Sequence, residues 1–173
     1  WTAWHDACLK GKTETVQLIV QSSKDFGIKL NAKDNGGWTA WHFACDNYRT
    51  ETVQVIIQSS KDFGIDLNAK DNIGRTSWQC ACQTGKTETA KLIIKSSKDF
   101  GIDLNAKDDS EWTALHAACW YGKTEIAQLI IHSSKDFGID LNAKDNNGNT
   151  AWHLACSNGR TETVQLIIQS SRL

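Results

Sequence analysis

Apolar residues return along this chain in a helical rhythm that polar turns interrupt at fixed intervals. Between positions 50 and 57, Val53, Ile56 and Ile57 fall at i, i+3 and i+4, which marks one face of an amphipathic helix. Thr50 stands where an N-cap is expected, and Glu51 lies near the positive end of that helix. Ahead of it, Ala40 to Asn47 predicts a shorter helix, with the small residues Ala44 and Cys45 permitting close packing and a tight turn at Tyr48-Arg49. Behind it, Ser59-Ser60 and Lys61 to Gly64 lead into Ile65-Asp66-Leu67-Asn68-Ala69, where apolar and polar residues alternate briefly. The turn-rich tip Asp71-Asn72-Ile73-Gly74 follows. The pattern predicts helix, turn, helix, loop and a hairpin-like finger.

This pattern repeats. Trp4-His5, Trp41-His42, Trp78-Gln79, Leu115-His116 and Trp152-His153 succeed one another at intervals of 37 residues, with the flanking sequence in register. A fixed period of this length predicts stacked units, each burying its apolar face on its neighbours. The units are 1–37, 38–74, 75–111, 112–148 and 149–173, together one domain. Thr39-Ala40-Trp41-His42-x-Ala44 resembles the T-P-L-H-x-A signature of ankyrin repeats, and Leu67-Asn68-Ala69-Lys70-Asp71 resembles the hairpin that follows it. The resemblance covers essentially the whole chain. Proline is replaced by Ala or Ser throughout, and leucine by Trp in four of the five units.

Ankyrin units are ~33 residues long, so these carry about four more. The surplus falls in Ser-Lys-Asp-Phe and is expected to lengthen a surface loop, with Phe63 as its anchor. The resemblance implies a mainly α solenoid whose fingers and first helices line a concave face that grips partner proteins. It also implies that Trp4, Trp41, Trp78 and Trp152, in the family's leucine slot, pack between units. Each repeated histidine is expected to bond the Thr three residues earlier and tie neighbouring units together. Asn31, Asn68, Asn105 and Asn142 lie in L-N-A contexts like those hydroxylated in some ankyrin proteins, although an asparagine that bonds its own turn accounts for all four.

Comparison of the units separates a near-constant framework from slots that change character: the finger tip, the residue before Thr, the residue after His, and the last two of the first helix. These slots hold Trp38, Phe43, Asp46, Asn47 and Ile73, then Arg75, Cys80, Gln83, Thr84 and Ser110, then Trp112, Ala117, Trp120, Tyr121 and Asn147. A constant scaffold with a changeable, aromatic-rich face suits a protein-binding module, since exposed Trp and Tyr supply much hot-spot energy. The candidate contact residues are Trp38, Phe43, Asp46, Asn47, Tyr48, Ile73, Arg75, Gln83, Glu111, Trp112, Trp120 and Tyr121. Trp112 and Trp120 are expected at the surface, in contrast to Trp41. Tyr48 and Glu111 replace glycines of the other units, at Gly11 and Gly74 for example, and are expected to strain their turns. A structural or designed consensus array without a specific partner is the competing reading.

Charge adds no other partner. Nineteen basic and twenty acidic residues give a net charge of −1, with no footprint for nucleic acid. No apolar run approaches a membrane span. Cys8, Cys45, Cys82, Cys119 and Cys156 recur once per unit and read as reduced, buried residues in a reducing, cytoplasmic compartment. Gly11-Lys12-Thr13 and its repeats lack the earlier glycine of a phosphate loop, and the Asp-Phe-Gly triplets lack a His-Arg-Asp partner. No second ligand accompanies the histidines at i+3 or i+4, so no metal, cofactor or catalytic residue is expected. The lack of proline and methionine points to an excerpt or an engineered array, and the aliphatic last helix (Val164, Leu166, Ile167, Ile168) points to possible end-to-end self-association.

Overall fold

The computed structural model describes residues 1–47 and 49–170. Among them, ten helices form five pairs: α1 (Ala3–Lys10) with α2 (Thr13–Ser22), α3 (Ala40–Asp46) with α4 (Thr50–Phe63), and α5 (Ser77–Thr84) with α6 (Thr87–Phe100). The last pairs are α7 (Ala114–Trp120) with α8 (Thr124–Phe137), and α9 (Ala151–Ser157) with α10 (Thr161–Ser170). First helices stack on first helices and second on second, each row running the length of the array. The buried Val53, Ile56, Ala90, Ile93, Ala127 and Ile130 lie along the second row, on the face the helical period predicts.

Each first helix starts from a Thr whose neighbour one turn on is His or Gln. The Thr39 amide and hydroxyl meet His42 Nδ1 at 3.2 and 2.9 Å, and Nε2 bonds the Arg75 carbonyl of the next unit at 3.2 Å. Gln79 does the same with its amide, Oε1 accepting from the Thr76 amide at 2.8 Å and Nε2 donating to the Trp112 carbonyl. The spacing is that of a capping box, with the third-position side chain also reaching across to the neighbour. Trp4, Trp41 and Trp78 are buried and donate through Nε1 to the carbonyls of Leu30, Leu67 and Leu104 at 3.0, 3.1 and 3.2 Å. Trp152 departs from the expectation: it is only partly covered, because no described unit stacks on its outer side.

Two helix boundaries also differ from the sequence reading. Thr50 is the first helical residue rather than the cap, which is Arg49. The residue before the equivalent threonine of each unit is Lys or Arg, and in unit five it serves the preceding unit: Arg160 Nε donates to the Trp120 carbonyl at 2.9 Å, at the negative end of α7. The threonine hydroxyls instead join neighbours, Thr13 to Thr52 at 3.1 Å and Thr124 to Thr163 at 2.9 Å. The second correction concerns Ser-Lys-Asp-Phe, which is helix in the three middle units and not loop; α4, α6 and α8 each run 14 residues to that Phe. Nothing in the segment breaks a helix, and Gly64, at φ 64°, supplies the left-handed stop. Phe63, Phe100 and Phe137 lie half-buried under Lys24, Lys61 and Lys98 of the unit before, 5.2, 5.1 and 5.1 Å from ring centre to ammonium. Phe26 has no described unit before it, is 78% exposed, and α2 ends early at Ser22.

The fingers alternate as expected: Ile65, Leu67 and Ala69 face inward, Asp66, Asn68 and Lys70 outward. Among the described residues no strand forms; one antiparallel bridge, Lys70 to Thr76, closes a finger. Asn68 Nδ2 donates to the Gly101 carbonyl and its Oδ1 accepts the Asp103 amide, both at 2.8 Å, and Asn31 and Asn105 repeat the arrangement. The side-chain amide thus holds the following unit's helix end, not its own turn. Cys8, Cys45, Cys82 and Cys119 are buried free thiols, but Cys156 is exposed on unit five, contrary to the expectation for it. Burial pushes the Cys80 and Cys119 thiols up to about 12, so they are protonated packing residues.

Candidate protein-binding site

The variable slots converge on one face, built from the first helices and the finger tips. Phe43 bridges Trp1 and Trp38, with ring centres at 4.8 and 4.9 Å. The Arg75 guanidinium lies 5.9 Å from the Trp38 ring centre. Past Arg75, a cleft between units three and four is lined by Ile73, Arg75, Gln83, Trp112, Ala117 and Tyr121. Trp112 and Trp120 then pack against each other at 5.3 Å, tilted by 51°. Ile73 and Tyr121 are 54% and 43% exposed, whereas Trp38, Phe43, Trp112 and Trp120 are half-buried. The two tryptophans expected at the surface therefore partly shield one another through a tilted contact.

Arg75 is fixed from three sides. Its Nε and Nη2 donate to Asp71 Oδ2 at 2.9 and 2.8 Å, and Nη1 donates to Gln83 Oε1 at 3.1 Å. Asp71 is itself built in, since Oδ1 accepts the Ile73 and Arg75 amides at 3.0 and 2.9 Å. Burial alone would raise the Asp71 pKa, but the amides and the Arg75 side chain outweigh it and hold the carboxyl below its usual range. The same finger position two units later is Asp145, which takes the Asn147 and Asn149 amides at 2.9 and 2.8 Å. There too burial is outweighed, by those amides and by the Asn149 and Trp112 side chains, and the pKa falls. Beside Asp145 an open cleft separates units four and five, walled by Trp112, Trp120, Asn147, His153, Leu154 and Ser157.

The remaining candidates lie at the margins of this face. Asp46 and Asn47 end α3 half-buried, with Asn47 Nδ2 donating to the Phe43 carbonyl at 3.0 Å. Glu111 takes the left-handed conformation, φ 61°, that glycine holds in the other fingers, while its turn is kept by a hydrogen bond from its backbone N–H to the Asp108 carbonyl at 2.9 Å. Its carboxylate meets Lys107 at 2.8 Å in an exposed pair. The tight turn and strain expected at Tyr48, and its contact role, fall outside the described residues. Asn31, Asn68, Asn105 and Asn142 are exposed but sit on the finger stems, away from the variable tips. Sequence reasoning did not mark Asp71, Asp145 or Asn149 as site residues and took His153 only as a tie to Thr150 and the neighbouring unit; the exchange of Arg75 for Asn149 between equivalent positions was the available signal. Among the described residues no group of His, Cys, Asp and Glu is arranged to hold a metal, and no helix is long and apolar enough to cross a membrane.

Paired helices in two parallel rows, sewn together by fingers, define a helical repeat solenoid. The family model for ankyrin repeats, in three copies, matches residues 1–71, 61–145 and 100–172, and the chain belongs to the ankyrin-repeat family. Proteins of this family are generally protein–protein interaction modules. Among curated proteins the chain finds no match.

Proposed function

We propose that this chain is a non-catalytic scaffold that holds a partner protein on the face made by its first helices and finger tips, the concave side in ankyrin arrays. One observation carries the reading: residues that differ between units gather on this face and include half-exposed aromatic and aliphatic groups, while the repeated Ala, Cys and aliphatic positions of the helices lie in the core. Large apolar groups that remain partly open to solvent are the kind that release binding energy when a partner excludes water. Trp38, Phe43, Ile73, Trp112, Trp120 and Tyr121 are the apolar anchors; Arg75, Asp46, Asn47, Gln83 and Glu111 orient the partner. A reducing, cytoplasmic setting belongs to the same proposal.

The test compares proteins captured by the native chain with those captured by Ile73→Ala, Trp120→Ala and Tyr121→Ala variants whose circular dichroism is unchanged. Each substitution is expected to weaken binding of a captured partner, by about 2 kcal/mol or more at a hot spot. Partners retained by all three variants at native affinity would favour the alternative, a structural array without a specific recognition surface.

A further inference from the structure

The array contains two copies of one local arrangement, and only one is filled. At the boundary of units two and three, Trp38, Asp71 and Gln83 surround the chain's own Arg75, whose guanidinium faces the indole and pairs with the carboxylate. Moving each residue on by two units gives Trp112, Asp145 and Ser157, with Asn149 in place of Arg75. Asn149 is too short to repeat the contact; its Nδ2 approaches Asp145 Oδ2 at only 3.4 Å. Space remains where the guanidinium would lie, and it is the cleft walled by Trp112, Trp120, His153, Leu154 and Ser157. Position 120 adds a second indole where Asp46 stands at the filled boundary.

We propose that the cleft between units four and five receives an arginine side chain of the partner protein, its guanidinium stacked on Trp112 and paired with Asp145. This rests on the reading of the face as a protein-binding surface and supplies the chemistry of one anchor. The cleft suits a planar cation for reasons present in the molecule. Two indole faces attract positive charge, and guanidinium stacks on such faces where a lysine ammonium does not. Asp145 is held in place by two backbone amides, so it needs no reorganisation to accept the ligand. A carboxylate can accept at about four sites; with the two amides and the Trp112 side chain bonded, displacing the long 3.4 Å Asn149 contact frees Oδ2 for the guanidinium. Ser157 replaces the third holder, Gln83, and leaves the cleft mouth open for a side chain entering from outside.

The probe is N-acetyl-arginine amide, titrated into the full chain while the indole N–H resonances are followed by NMR. The Trp112 and Trp120 signals should move saturably and the Trp41 signal should not. N-acetyl-citrulline amide, of the same shape without charge, and N-acetyl-lysine amide should each bind at least about tenfold more weakly. Asn149→Arg should supply the missing guanidinium from within the chain, shift the Trp112 resonance as the probe does, and abolish probe binding. Trp120→Ala, which leaves Asp145 and its turn intact, should weaken the probe. Equal binding of the citrulline compound, or undiminished binding to both folded variants, overturns the proposal. The outcome is separable from that of the scaffold reading: a captured partner that ignores Asn149→Arg sinks only the arginine anchor, and probe binding without any captured partner overturns the scaffold, and with it the partner's arginine, while leaving the cleft a guanidinium site.

Discussion

Because five units share one framework, single residues that break it act as internal experiments. Ser77 stands where Ala40 and Ala114 begin the equivalent helices; its hydroxyl is fully buried and, among the described residues, has no hydrogen-bond partner. Ser77→Ala should therefore raise stability by about 1–2 kcal/mol, read as a higher urea midpoint at unchanged slope. Glu111 holds a left-handed backbone that costs a side-chain-bearing residue about 1 kcal/mol, and its ion pair with Lys107 is exposed and worth little. Glu111→Gly should recover about that amount in the same measurement. The histidines supply a pH effect. Burial lowers the pKa of His42 and His116 below 6.5, so below that value the unfolded chain binds more protons than the folded one. Stability should be full above pH 6.5 and decline as pH falls from there through the folded pKa values. Gln79 performs the same bonding without titrating, so His42→Gln with His116→Gln should flatten this part of a stability-versus-pH curve measured by denaturation.

At the scale of the element, the boundaries between units are secured by side chains that each serve the next or the previous unit. Asn68 makes two 2.8 Å bonds to the end of α6 and the turn beyond it, whereas Asn142, its equivalent two units on, has no side-chain hydrogen bond among the described residues. Asn68→Ala should cost about 1–3 kcal/mol and Asn142→Ala close to nothing, compared by urea denaturation. If both cost the same, the inter-unit bond is not what the residue contributes. These elements also mark how far the sequence could be read. The 37-residue period and the i, i+3, i+4 spacing of Val53, Ile56 and Ile57 disclose the helix pairs and their stacking, because burial imposes that spacing directly. The extension of α4 through Phe63 was hidden, since Ser-Ser-Lys-Asp is polar like a loop and what stabilises it, Lys24 over the Phe63 ring, comes from another unit. The same limit applies to the candidate site: composition marks Trp112 and Trp120 as variable aromatics, but that they cover one another beside Asp145 is a property of three-dimensional neighbours.

For the whole molecule, equivalent residues differ most in exposure between the middle and the two ends. Leu18 is 63% and Phe26 78% exposed, although Leu92, Leu129, Phe63 and Phe100 at the same repeat positions are half-buried by the unit before them. At the other end Ile168 is 42% exposed, against 2% for Ile57 and 3% for Ile94, and a groove opens between Leu115, Leu141, Trp152 and Ile167. Each end thus exposes apolar residues whose equivalents are covered between inner units. Burying such apolar area is worth roughly 25 cal/mol per Å², enough to drive weak association once the ends meet. The 173-residue chain should therefore associate head to tail as its concentration rises, continuing the two helix rows from one copy into the next. The aromatic face is a second apolar surface and must be told apart from the ends. Leu18→Lys combined with Ile168→Lys places like charges on the two mating surfaces and leaves the face untouched. Light scattering should show a mass that climbs with concentration for the native chain and stays at the monomer value for this variant. A native chain that remains monomeric at high concentration, or a variant that associates as strongly, would show that the ends do not recognise one another.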